Sequence, residues 1–171
     1  QLQRDGVALP GGTSAQPTAL AVVQIDQGQP SYGFYREGIA DRDYTVDGIL
    51  ALLREQPQPG IFHTGSLLLI PPEHHKVLAI LQAARAMGWT ISVDINLRPQ
   101  VAGELGPYVA ALKEVIALTD WLKASDEDLQ TMGFADVRPA ESARLVQALR
   151  AGVSQSALSR VALTFGGDGA H

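Results

Sequence analysis

Apolar and polar residues alternate most regularly from Ile91 to Arg98. In an extended chain successive side chains point to opposite faces. Ile91, Val93, Ile95 and Leu97 then share one side, and Ser92, Asp94, Asn96 and Arg98 the other. Helical periodicity precedes this run and Pro99 ends it, so it reads as a strand over Trp89 to Asn96, entered from a helix, with polar residues at its exit. Strand exits face the ligand crevice of an α/β sheet, where an acid, an amide and a guanidinium suit an anionic or polyhydroxyl ligand. The spacing allows equally that Asp94 and Arg98 form an ion pair and that Asn96 caps a loop.

The same reading along the chain predicts a hairpin followed by strand–helix alternation. Ala19–Asp26 and Ser31–Arg36 read as strands joined by a turn at Gln27-Gly28-Gln29-Pro30. Thr45 caps a helix to about Arg54, with Asp47 in its first turn, and Ile61-Phe62-His63 is a short strand. Leu67–Ile70 is apolar and ambiguous. Pro71-Pro72-Glu73 opens a helix whose Val77, Leu81, Ala84 and Met87 recur at helical spacing, with Gly88 at its end. Pro107 opens another, with Val109, Leu112 and Ile116 on one face. Trp121-Leu122-Lys123 is a strand, and Ser125 begins a short helix to about Met132. Pro139 starts a helix to Ala151, with Leu145 and Leu149 inward, and Arg160–Phe165 is the last strand. Strand starts about 30 to 40 residues apart are the spacing of right-handed βαβ units in a parallel sheet.

Composition narrows this picture. The 171 residues are 46% hydrophobic and 18% charged, which predicts a folded domain with a real core. The formal net charge is −5 with no basic block, so nucleic acid is not an expected partner. The absence of cysteine excludes disulfides and thiolate metal sites. No apolar run reaches the length of a membrane span, so no membrane partner is expected and the cytoplasm is the expected compartment. The chain begins at Gln1 without an initiator methionine and stops just after a strand and a glycine turn, which reads as the middle of a longer protein.

Local chemistry offers weak signals only. Gly166-Gly167-Asp168-Gly169 follows a strand and could cradle phosphate on its amides, or be an ordinary tight turn. Ser125-Asp126-Glu127-Asp128 matches a capping box, the alternative being acids that hold Mg²⁺ through water. Adjacent His74 and His75 cannot share a helix face and read as surface residues. His63 reads as a hydrogen-bonded core residue. Tyr32, Phe34 and Tyr35 on the hairpin read as packing residues. No Ser–His–acid set or glycine dinucleotide fingerprint is present, which disfavours a dinucleotide-dependent oxidoreductase.

Six segments in register carry a resemblance: Pro17-Thr18-Ala19-Leu20-Ala21, Phe34-Tyr35-Arg36-Glu37-Gly38-Ile39-Ala40-Asp41, Phe62-His63-Thr64-Gly65-Ser66, Asp94-Ile95-Asn96-Leu97-Arg98-Pro99, Trp121–Asp128 and Thr164–Ala170. Together they resemble the ribokinase-like (PfkB) carbohydrate kinases, in the fructokinase and 2-keto-3-deoxygluconate kinase branches. The resemblance implies a three-layer α/β domain with a mostly parallel sheet and a small β-sheet lid, both incomplete in this chain. In these terms residues 1–16 lead into the lid, 17–40 form it as a hairpin, and 41–171 belong to the nucleotide- and sugar-binding domain. It also implies phosphoryl transfer from ATP to a sugar hydroxyl with Mg²⁺ and a monovalent cation such as K⁺, and a homodimer formed through the lid. Tyr35, Arg36 and Arg98 map onto substrate contacts. Asn96, Lys123, Ser125, Thr164, Gly166 and Gly169 map onto the nucleotide site, and Asp94 and Asp128 onto the metal's surroundings. Ser125 and Asp128 stand where the family's Lys-x-Asn-x-x-Glu pattern has Asn and Glu. The family's Gly-Gly sugar-binding segment is expected before Gln1. Its Gly-Ala-Gly-Asp loop, with the catalytic Asp, is expected after His171, so no catalytic residue is assigned within the chain and residues 1–171 alone are expected not to turn over. The alternatives carried forward are 2-keto-3-deoxygluconate kinase or another PfkB sugar kinase, and a non-catalytic sugar- or nucleotide-binding module.

Overall fold

The computed structural model describes residues 1–26, 29–35, 38–153 and 157–171, and of residues 26, 29–32, 34 and 35 the backbone alone. Two sheets form. The first is an antiparallel hairpin of β1 (Leu20–Asp26) and β2 (Gln29–Tyr35), in register from Leu20 opposite Tyr35 to Asp26 opposite Gln29. The ladder extends through Gln29 and Pro30, two positions expected in the turn, while Gln27 and Gly28 of that turn lie outside the described residues. Proline is tolerated there because β2 has a free edge. Below the hairpin the chain is tied together by the Ala40 amide donating to the Pro17 carbonyl at 3.0 Å.

The second sheet is fully parallel, with β3 (Ile61–Gly65), β4 (Thr90–Asp94), β5 (Trp121–Ser125) and β6 (Arg160–Thr164) adjacent in chain order. Its helices are α1 (Val46–Arg54), α2 (His74–Ala86), α3 (Leu105–Ala117), α4 (Asp126–Thr131) and α5 (Ser142–Ala151). Local chemistry sets their ends. Thr45 caps α1 by accepting from the Gly48 amide at 3.1 Å. Gly88, at φ +87°, follows α2 in a left-handed conformation that glycine adopts without a Cβ penalty. The ambiguous stretch after β3 is a 3₁₀ turn over Ser66–Leu69.

Because strand order follows chain order, right-handed crossovers put every connecting helix on one face of the sheet. Burial agrees. Ile91, Val93, Leu122, Ala124 and Leu163 are at most 2% exposed and join one core with Val77, Leu81, Leu112, Val115, Leu145 and Leu149. The opposite face carries His63, Ser92, Asp94, Lys123, Ser125, Arg160 and Ala162, none of them buried. A third layer is therefore not formed by the described residues. Helices reach the second face of such a sheet only where strand order reverses, and these four strands do not reverse. At the strand entrances Asp120 fastens the sheet. It accepts from the Ile91 amide and the Arg85 guanidinium, each at 2.8 Å, and its carbonyl accepts from the Ser159 amide at 2.8 Å.

Two histidine expectations are corrected. His74 is 6% exposed, not a surface residue: it lies three positions before Val77 and shares that residue's buried face. His63 is hydrogen-bonded, to Ser92 Oγ at 3.0 Å, but is exposed on the polar face of an edge strand. In α3 the proline falls at the third helical position, and Tyr108, Ala111, Leu112, Val115 and Ile116 are buried while Val109 is only half-buried. No helix among the described residues is long and apolar enough to cross a membrane.

Candidate functional site at the strand exits

The register lines up the expected site residues along the carboxyl ends of the strands. Gly65, Asp94 and Lys123 stand level across β3, β4 and β5, and Ser125 stands level with Thr164 of β6. Partners in a parallel register share a face, so Asp94 and Lys123 meet, with Asp94 Oδ1 3.1 Å from Lys123 Nζ. The two side chains are 31% and 38% exposed, open enough for a ligand to reach. Oδ1 itself is buried and makes no directed hydrogen bond, so its contact with the ammonium is ionic only. Asp94 therefore pairs with Lys123 rather than Arg98. The Arg98 guanidinium turns back to donate to the Leu97 carbonyl at 2.9 Å and stays half-buried.

Beyond the ladder the exits of β3 and β4 become irregular together. Ser66 has φ 55° and Asn96 φ 40°, both in the left-handed region that residues with a Cβ rarely occupy. Their side chains meet, Asn96 Nδ2 donating to Ser66 Oγ at 3.1 Å. Asn96 thus ties two strand exits rather than capping a loop of its own. Non-glycine residues in strained conformations cluster at ligand sites, where surrounding structure holds them in place. Gly65, just before Ser66, allows the close approach: a Cβ there would sit 2.1 Å from the Asp94 carbonyl oxygen. Gly65 and Ser66 stand in one of the six segments that carry the resemblance, but the role of each depends on its contact with the exit of β4 and was not readable from the sequence.

The capping box at the start of α4 is complete. Ser125 Oγ accepts from the Asp128 amide at 3.1 Å, and Asp128 Oδ2 accepts from the Ser125 amide at 2.8 Å. Asp128 Oδ1 also accepts from the Leu97 amide at 2.7 Å, and the residue is 3% exposed. Both carboxylate oxygens are engaged by backbone amides, so capping, rather than free metal-binding acids, describes this acid. After β6, residues 166–169 make a tight turn, with Gly166 at φ +53° and Gly169 at φ +90°. The Asp168 amide donates to the Phe165 carbonyl, and the Phe165 amide to the Gly169 carbonyl, each at 2.9 Å. The chain then returns along β6, where Ala170 bridges Thr164.

The structure thus brings Asp94, Asn96, Arg98, Lys123, Ser125 and Asp128 onto two adjoining strand exits, with Thr164, Gly166 and Gly169 on the next. Tyr35 is placed by its backbone at the foot of β2, opposite Leu20. Arg36 lies outside the described residues. No group of three or more His, Cys, Asp or Glu side chains suited to a metal occurs among the described residues.

Comparison with known proteins agrees with this geometry. The chain is 31% identical over 125 residues to a fructokinase of Rhizobium leguminosarum bv. trifolii, and 29% identical over 116 residues to one of Vibrio alginolyticus. The matches cover 73% and 67% of the chain but 37% and 36% of those relatives. Among solved structures, the fructokinase from Xylella fastidiosa with bound ATP superposes with a TM-score of 0.75 at 27% identity, over 97% of this chain and 51% of that one. No protein-family model matches. Strand exits, motif register and these likenesses converge: the chain is similar over most of its length to fructokinases of the ribokinase-like (PfkB) kind, of which it spans about half or less.

Proposed function

We propose that the complete protein is an ATP-dependent sugar kinase that phosphorylates fructose. The observation that carries this is the row of residues at the adjoining exits of β4 and β5, Asp94, Asn96, Arg98, Lys123 and Ser125, with Asp94 and Lys123 level in the register and 3.1 Å apart. The sugar's hydroxyls suit Arg98, with Tyr35 and Arg36 closing from the hairpin, since a guanidinium offers several fixed donors. The phosphates suit Lys123, Asn96, Ser125 and the turn bearing Thr164, Gly166 and Gly169. Phosphoryl transfer rests on positioning and charge stabilisation more than on covalent chemistry, so a crevice that fixes both ligands supplies much of what the reaction needs. The base that accepts the hydroxyl proton is assigned to the Asp of the Gly-Ala-Gly-Asp loop, outside residues 1–171. Fructokinases with bound nucleotide, and with fructose, ADP and potassium, are among the folds this chain matches.

Mg²⁺ fits the donor set through Asp94. Its buried Oδ1 lacks a directed hydrogen bond, and Mg²⁺ takes one or two carboxylates and otherwise water and phosphate oxygens. When bound it would offset phosphate charge. Asp128, with both oxygens on amides, would contribute only by holding the loops around it. A monovalent cation such as K⁺, cytoplasmic location and a homodimer through the hairpin belong to the same proposal. Supporting the last, Leu20, Val22, Val23 and Ile25 of β1 are 45–72% exposed.

A ketoacid remains the competing substrate, since a carboxylate would take bidentate contact from Arg98. In the complete protein, Arg98→Ala is expected to raise the sugar KM about tenfold while leaving the ATP KM near its original value. Equal effects on both, or none, would remove Arg98 from the sugar site.

A further inference from the structure

We infer that Asp128 is a positioning residue for the exit of β4, acting on sugar binding through Leu97 and Arg98. The inference rests on the sugar-kinase reading above and gives Asp128 a different task from the metal-organising one that the resemblance implies.

A capping box needs only one carboxylate oxygen, and Oδ2 supplies it by accepting from the Ser125 amide at 2.8 Å. Oδ1 is left over, and it accepts from the Leu97 amide at 2.7 Å. Leu97 lies between Asn96 and Arg98, two residues of this exit with candidate ligand roles. Its carbonyl accepts from the Arg98 guanidinium at 2.9 Å, so both backbone groups of Leu97 are engaged, one by Asp128 and the other by Arg98. Its side chain is 5% exposed and anchored in the core. The Asn96 backbone just before it, at φ 40°, is in the left-handed region, which few L-residues other than asparagine and aspartate adopt.

The link therefore runs from the α4 capping box through Leu97 to Arg98. Hydrogen bonds from amides to a buried carboxylate are stronger than neutral ones, and a buried carboxylate without them is costly. An amide side chain in place of the carboxylate can accept one of the two bonds, but must turn its NH₂ towards the other N–H. The β4 exit would loosen there, and with it the placing of Arg98.

The test uses the complete protein and measures the KM for fructose, the KM for ATP and the half-saturating Mg²⁺ for the wild type, Asp128→Asn, Arg98→Ala and the double variant. Asp128→Asn is expected to raise the fructose KM about tenfold and to leave the ATP and Mg²⁺ constants within about twofold. In the Arg98→Ala background it should add little further, because both substitutions remove the same placed group. A raised Mg²⁺ or ATP constant with unchanged fructose KM, or effects that multiply, overturns the inference. Should Asp128→Asn fail to fold, amide hydrogen exchange on the wild type decides. The Leu97 amide is expected to exchange as slowly as those of β4, and rapid exchange overturns the link. A wild type that phosphorylates no sugar overturns the underlying reading, whereas an active wild type with a labile Leu97 amide overturns the link alone.

Discussion

At the scale of single residues, the site depends on contacts between strands. Gly65→Ala would drive a Cβ to within 2.1 Å of the Asp94 carbonyl oxygen, a backbone atom that cannot swing aside. It is expected to cost about 3 kcal/mol, read as a fall in the urea midpoint at unchanged slope. A variant of wild-type stability would mean that β3 and β4 sit further apart at their exits. The burial alternation was legible, since Ile91, Val93, Ile95 and Leu97 are at most 5% exposed, but the strand itself ends at Asp94, two residues before the expected Asn96, which turns left-handed. The partners were not legible. Sequence spacing allowed Asp94 to pair with Arg98, but four residues along an extended chain put the two on one face about four residue rises apart, whereas Lys123 on the neighbouring strand reaches Asp94 at 3.1 Å. Local spacing describes one strand, while the site is made by the register among several.

Elements were readable where end chemistry is local. Thr45 and Ser125 both cap the helices the sequence assigned to them. Thr45→Ala should cost about 1 kcal/mol, with the loss seen as earlier thermal unfolding, since the cap bonds one amide that α1 cannot satisfy internally. No change would show that water replaces the hydroxyl there. In the first turn of α2 the adjacent histidines hid a difference: His74 continues the face of Val77 and Leu81, whereas His75 is exposed. Burial, and then the neighbouring His75, hold His74 below the ordinary histidine value, with Glu114 opposing. The unfolded chain takes up this proton near a pH of about 6.5, before the folded one does. The stability tied to neutral His74 is thus present above that pH and is lost as pH falls through the depressed folded value. Between pH values of about 7.5 and about 5.5 the wild-type Tm should fall further than that of His74→Leu. Parallel falls in the two proteins would mean that His74 is protonated at no cost in the fold.

For the whole molecule, strand order matters most. Four parallel strands in chain order leave one face to helices and the other to His63, Ser92, Asp94 and Lys123. Strand count and direction were legible from the spacing of strand–helix units. The one-sided layering was not, because it follows from sheet order, which periodicity does not encode. The separate hairpin, with apolar residues of β1 exposed, supports pairing of two copies of the complete protein. Light scattering at micromolar concentration should give the dimer mass, and substituting Val23 and Ile25 together by lysine should shift it to the monomer. A wild-type monomer would remove the hairpin from any such role. If the strand exits belong to a kinase acting on a sugar hydroxyl, ADP release by the complete protein with Mg·ATP depends on added sugar. Release is expected with fructose, above that with 2-keto-3-deoxygluconate, with ADP and fructose phosphate formed in equal amounts. ADP release indifferent to any sugar, or none with either, would exclude such a kinase.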